Sequence, residues 1–239
     1  MKLQNLSIIS VLVLIFLISC SKKDSGTSSI YRQPSNVHTL IMIPRGLQIQ
    51  ADKGITNADS IIAFMNEANN INQYSVDFAI TDNAKTIVSN SDTIIYSWTN
   101  ALFSVWMTFM QSADKYTWTL DLQSSQISRF TYISAEELKS NLAGNWTIKN
   151  TDGSNTVLWD YNYSFTGPVC TTFINFHHNN GTISKFTYID SGQYSGNFIY
   201  YEGSMKRAEV SWNLDGTGNW LIYSNGADPV TGSWTLTGK

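Results

Sequence analysis

Apolar and polar positions divide the chain into three stretches of different character. Residues 8–18 are apolar except for Ser10, with Lys2 the only charge before them. Residues 21–34 hold Ser, Lys and Gly and little apolar content. Beyond them, apolar residues recur at every second position. In 116–123, Tyr116, Trp118, Leu120 and Leu122 alternate with Thr117, Thr119, Asp121 and Gln123, the period of a strand with one buried face. Residues 159–165 repeat the pattern with aromatic side chains throughout. Asp215-Gly216 separates 210–214 from 219–223, and Asn179-Asn180-Gly181 separates 171–176 from 182–189. Both are strong hairpin signals. The first strand expected is 37–43, ended by Pro44, which has no N–H to give a ladder; the last is 232–236. The pattern predicts a mostly-β domain over 36–239, an antiparallel meander forming a sandwich or barrel.

Two short helices are expected among the strands. Residues 58–68 place Ile61, Ile62, Met65 and Ala68 on one face, with Asn57 as N-cap. Ser134-Ala135-Glu136-Glu137 fits a capping box, in which Ser134 and Glu137 each bond the other's backbone N–H, and Gly144 is a stop signal shortly after.

The chain also resembles itself. Ile127-Ser128-Arg129-Phe130-Thr131-Tyr132-Ile133 nearly recurs as Ile183-Ser184-Lys185-Phe186-Thr187-Tyr188-Ile189, and Gly-Asn-aromatic occurs at 144–146, 196–198 and 218–220. Reuse of good hairpin chemistry and duplication of a β unit, with two halves meeting near residue 143, both account for this.

The apolar run at 8–18 is shorter than the roughly 20 residues that span a bilayer as a helix. A positive start, a short apolar run and a small residue before Cys20 describe a secretory leader over 1–19. Leu17-Ile18-Ser19-Cys20 resembles the lipobox of bacterial lipoproteins. The resemblance implies acylation of Cys20, a flexible tether over 20–35, and the membrane as a partner through the lipid. Ser21 in place of Asp implies sorting to the outer membrane. Ser21-Lys22-Lys23-Asp24-Ser25 is similar to the mature start of Bacteroidetes lipoproteins, and leaves periplasmic and surface-facing positions both open.

Composition then narrows the partners. The chain has 15 Lys and Arg against 18 Asp and Glu, a net charge of −3, with no basic stripe, which argues against nucleic acid. Once Cys20 carries lipid, Cys170 is the one thiol left, so a packed core rather than an intrachain disulfide must hold the fold.

Candidate chemistry is sparse. His177 and His178, being adjacent, point to opposite faces of a strand, and neither they nor His38 has zinc-ligand spacing around it, so no metal site is expected. No Gly-x-Ser-x-Gly elbow or phosphate loop is present, and Cys170 follows Pro168 and Val169 in the manner of a buried structural thiol. Asp121, Asp160, Asp190, Glu202, Glu209 and Asp215 are available as paired acids for glycan processing, but no spacing couples them. Aromatic strand positions normally face a core, as expected for Trp118, Trp212 and Trp234. Trp159, Tyr161 and Tyr163 are the candidates for a ligand-facing stripe.

Two further resemblances bear on function. Leu142-Ala143-Gly144-Asn145-Trp146 resembles the Gly-x-Trp opening of lipocalin-like barrels, which implies a carrier of a small apolar ligand. Asp59-Ser60-Ile61 and Asp92-Thr93-Ile94 resemble Bacteroidetes O-glycosylation sites, which implies Ser60 and Thr93 as acceptors. The expected function is a non-catalytic, lipid-anchored envelope module without cofactor that binds a protein or glycan partner. A lipocalin-like carrier and a glycan-binding or glycan-processing protein are the alternatives.

Overall fold

The computed structural model describes residues 31–34, 40–192 and 195–235; Cys20, the leader and His38 lie outside them. Two α-helices come first, α1 (Arg45–Asp52) and α2 (Thr56–Asn69), and α2 runs on into a 3₁₀ segment, Asn70–Phe78. Thirteen strands follow: β1 (Lys85–Ser89), β2 (Thr93–Thr99), β3 (Ser104–Gln111), β4 (Lys115–Gln123), β5 (Phe130–Leu138), β6 (Gly144–Lys149), β7 (Val157–Thr166), β8 (Val169–His177), β9 (Ile183–Asp190), β10 (Gly196–Glu202), β11 (Met205–Trp212), β12 (Gly218–Ile222) and β13 (Val230–Trp234). They form one antiparallel sheet in sequence order. This is the expected meander. The sheet is open: β1 and β13 are its edges, so it does not close as a barrel. It also runs unbroken across residue 143, where β5 pairs β6.

One face of the sheet is buried along most of its width. Phe109, Trp118, Ala135, Trp146, Tyr161, Ile174, Phe186, Phe198, Val210 and Trp220 belong to successive strands from β3 to β12, and all are buried. What covers them is the N-terminal segment of the same domain. The Tyr31 ring stands edge-on to Tyr96 of β2 and Phe109 of β3, at 5.8 and 5.7 Å between centroids. Phe78 meets Trp146 of β6, Phe64 of α2 meets Tyr200 of β10, and Gln50 of α1 accepts a bond from Trp220 Nε1 while donating to the Ser233 carbonyl of β13. Thirteen flat strands at about 4.8 Å spacing would be roughly 60 Å wide. The described parts of the N-terminal segment touch both sides of the sheet, β2 through Tyr31 and β13 through Gln50.

Several expectations are corrected here. Residues 31–34, assigned to a flexible tether, are held against the domain, with Tyr31 and Pro34 partly buried. Tyr31 Oη donates to the Phe78 carbonyl, and Trp118 Nε1 donates to the Arg32 carbonyl at 2.6 Å. Of the strand expected over 37–43, residues 40–43 are not in a strand and 37–39 lie outside the described residues. Pro44 there begins a helix instead, as the N-cap of α1, a place where its missing N–H costs nothing. Asn69 holds this stretch by exchanging two side-chain bonds with the backbone of Ile41.

The helix expected from the capping box at Ser134 is strand β5. Its residues pair on both sides, Ser134 with Thr119 of β4 and Thr147 of β6, and this long-range pairing overrides a local signal. Glu137, read as a cap, points into the core at 1% exposure. There the Arg32 guanidinium lies 2.8 Å from Oε1 as an ion pair, not aligned as a hydrogen bond, and Tyr163 Oη donates to Oε2. The helix expected at 58–68 is present within α2, burying Ile61, Met65 and Ala68 and also Ala58.

The recurring Gly-Asn-aromatic motif has a common cause. Gly144, Gly196 and Gly218 open β6, β10 and β12, each directly opposite an aromatic residue of the next strand, Tyr163, Trp212 and Trp234. Each ring lies over its glycine: a Cβ would come within 2.6 Å of Tyr163 Oη, 2.7 Å of Trp212 Cζ2 and 2.1 Å of Trp234 Cζ2. Only glycine leaves room for the ring above a strand at that point.

Candidate functional site

The residues singled out in the sequence are mostly in the core. Trp159, Tyr161 and Tyr163 are 3, 3 and 2% exposed; Trp159 stacks on Phe176 and Tyr161 on Trp146. They are core residues, not a ligand-facing stripe. Cys170 is buried with its thiol 3.9 Å from Thr172 Oγ1, and burial pushes its pKa up. Ser60 bonds the Thr56 carbonyl within α2 and Thr93 opens β2; both are partly exposed.

The acids considered for catalysis each have another partner. Asp121 accepts from Arg129 and Thr131, Asp160 from Asn175 and His177, and Asp190 from the Gly192 amide. Glu202 accepts from Arg207, Glu209 from Lys206 and Asp215 from Thr217. The two neighbouring histidines separate as alternation requires, His177 to Asp160 on the outer face and His178 to the inner face. His178 Nε2 lies 2.8 Å from Ser184 Oγ, which is 3.3 Å from Tyr200 Oη. A Ser–His pair in an open cleft would suit a nucleophile. Ser184 is 1% exposed, so the chain of bonds serves to satisfy buried polar atoms. Glu67 of α2 stands in the same region, where burial raises its pKa and His178 lowers it. Among the described residues, no group of three or more His, Cys, Asp or Glu is arranged to hold a metal ion.

Where the N-terminal segment stops, the inner face is left open. The 3₁₀ segment ends at Phe78, and beyond it a groove of about 330 Å³ runs between Val76 and Asp77 on one side and the inner faces of β2–β5 on the other. Val105, Leu120 and Leu122 form its floor, and Trp98, Phe103 and Tyr132 add aromatic rings. Residues 100–103 shape one rim: Asn100 Oδ1 accepts from the Leu102 and Phe103 amides, and this tight turn holds Leu102 out at 75% exposure. Val76, 68% exposed, forms the opposite rim. Both are large apolar side chains at the mouth of an apolar groove.

One carboxyl group interrupts this surface. Asp77 lines the groove and accepts a single bond, 3.4 Å, from Tyr132 Oη. Among the described residues no base pairs with it. Burial pushes its pKa above the usual carboxylate range, against the lowering effect of the Tyr132 bond. A larger hollow of about 650 Å³ lies at the turns around Asn150, Asp152, His177, His178 and Asn179, but polar loop residues dominate it. Apolar and aromatic side chains line the groove together with Asp77, Thr81, Asn100 and Thr151, and its volume falls in the range of about 300–1,000 Å³ found for small-ligand sites.

Sequence inspection does not single out Asp77, Trp98, Phe103 or Tyr132. Asp77 sits in a stretch without periodicity, and Trp98 and Tyr132 alternate like any core residue. The one local signal is Leu102, an apolar residue in the middle of a four-residue turn. The chain matches no known protein family, no curated protein and no solved structure.

Proposed function

We propose that this protein is a lipid-anchored, non-catalytic binding module of the bacterial outer membrane, and that the groove between Asp77 and strands β2–β5 is its binding site for a small ligand. The lipobox-like Leu17-Ile18-Ser19-Cys20 supports the anchoring. No helix among the described residues is long and apolar enough to cross a membrane. The groove supports the binding role, and one observation carries it. Residues 31–34 and 40–79 pack against the inner face over most of its width, yet the rim residues Leu102 and Val76 stay exposed, beside the partly exposed Trp98 and Phe103, around a hollow of about 330 Å³. Exposed apolar surface gathered around a concavity marks a binding site more often than scattered apolar residues do.

Two experiments test the two parts. Replacing Cys20 by Ala should move the protein from the membrane to the soluble fraction; retention at the membrane would remove the lipid anchor. Thermal shift and tryptophan fluorescence on a chain beginning at Ser21, which keeps every described residue, test the groove against small apolar, lipid and glycan panels. A ligand that binds only the folded state must raise the melting temperature. A shift that disappears in Trp98→Ala and Leu102→Ser places binding in the groove. A shift with sugars that survives both substitutions would move the site to the outer face, where Phe173 is 44% exposed.

A further inference from the structure

We propose that the groove takes a small organic ammonium ion, an amine or quaternary ammonium group carried on an apolar or aromatic body. This rests on the groove being the binding site, and adds the chemical class of its ligand. Three observations lead to it. The first is Asp77, a carboxyl group lining the groove that has no base beside it among the described residues and one hydrogen bond, from Tyr132. The second is the set of aromatic residues that line the same groove, Trp98, Phe103 and Tyr132. The third is the floor of Val105, Leu120 and Leu122, of which Val105 and Leu120 are 3% exposed and Leu122 is 5%.

Electrostatics decides between ligand classes. A neutral apolar ligand filling the groove would remove water from Asp77 and give nothing in exchange, which deepens the cost of an already half-buried charge. An anion would add repulsion to that cost. A cation reverses the sign, because the carboxylate then gains its missing counter-charge in a partly desolvated site where the attraction is stronger than in water. Trp98, Phe103 and Tyr132 line the same groove, and a ring that turns its face to the cation adds cation–π attraction. The apolar floor accepts the ligand's hydrocarbon body. Other carboxylates of the domain are neutralised from within, Glu137 by Arg32, Asp121 by Arg129 and Glu202 by Arg207. Asp77 instead faces an opening, where a ligand can supply the charge.

The test compares two molecules of nearly the same shape by calorimetry on the chain beginning at Ser21: 2-phenylethylammonium and the neutral 2-phenylethanol. The expected result is that the ammonium binds about tenfold or more tightly than the alcohol, a difference of about 1.4 kcal/mol, and that Asp77→Asn removes this preference by weakening the ammonium while the alcohol binds no more weakly than before. Trp98→Ala should weaken both. Thermal melting of each variant establishes that it is folded. Equal binding of the two molecules, or an ammonium preference that survives Asp77→Asn, would overturn the assignment of a cation and leave the groove as a site for neutral ligands. Binding of neither overturns both the cation and the groove.

Discussion

Gly46 of α1 lies against the indole of Trp234 on β13 so closely that a Cβ on the glycine would fall 1.8 Å from Trp234 Cδ1. At its six-membered ring the same indole lies against Gly218 of β12, and its Nε1 donates to the Gly216 carbonyl. The ring therefore contacts two glycines, one helical and one in the sheet, and it joins the first helix of the domain to the last strand.

This predicts an inverted effect at Gly46. Alanine in place of glycine inside a helix ordinarily stabilises by about 0.5–1 kcal/mol. Here Gly46→Ala should destabilise by about 1–3 kcal/mol, the usual cost of overpacking. In a Trp234→Ala background the ordinary helical gain should return. Urea denaturation of the four-member cycle measures the coupling, and additive effects would mean that the two residues do not touch in solution.

Arg32 gives the second prediction. Removing it leaves Glu137, 1% exposed, without its counter-charge. Breaking a fully buried pair costs about 3–5 kcal/mol. The Arg32 side chain is 43% exposed, so solvent screening reduces this, and Arg32→Met should cost about 2 kcal/mol. The double variant Arg32→Met, Glu137→Met should recover most of the loss. A chain beginning at residue 36 should be destabilised further, since it also loses Tyr31; equal melting temperatures would show that 31–34 is only a tether.

Asp77 should behave oppositely. Its folded pKa is raised by burial, so the unfolded chain ionises first as pH rises. The folded state then carries a penalty that is absent below about pH 3.9, the unfolded value, and grows as pH passes upward through the folded value. The titratable groups facing it are Tyr132 of β5 and Tyr74 of its own segment, both neutral in this range. Asp77→Asn should raise the melting temperature at pH 7 and leave it unchanged near pH 3. A gain of the same size at both values would trace it to something other than the charge. A variant that is more stable yet loses ammonium binding would show that the carboxylate is kept for its ligand.

Alkali should unfold the domain cooperatively. Burial is the main cause holding the phenols of Tyr31, Tyr132, Tyr161 and Tyr163 well above their ordinary value, and it pushes Tyr188 up to about 12. In the unfolded chain they ionise near 10. Stability is thus complete below about pH 10 and falls as pH rises toward the folded values. Tyrosinate absorbance should show exposed phenols titrating first and the buried group appearing together with loss of the folded circular dichroism signal. Smooth titration of all twelve tyrosines while the fold persists would contradict the burial.

What the sequence determined by itself is what depends on near neighbours. Alternation of period two marked β4 and β7, because a strand in a one-sided sheet must turn every second residue to the core. Asp215-Gly216 and Asn179-Asn180-Gly181 marked their hairpins, because Gly216 and Gly181 take positive φ, 79° and 82°. The face of α2 followed from its spacing of Ile61, Met65 and Ala68. Tertiary structure decided what depends on distant partners. Ser134–Glu137 carries a helical signal, and only pairing with β4 and β6 makes it a strand. Glu137 is inside because Arg32 meets it from more than a hundred positions away. Trp159, Tyr161 and Tyr163 are covered by a segment that precedes them by some eighty residues or more, and Trp98 stays partly exposed, beyond the point where that same segment ends at Phe78. The groove exists only where these remote elements fail to meet, so no local pattern in the chain records it.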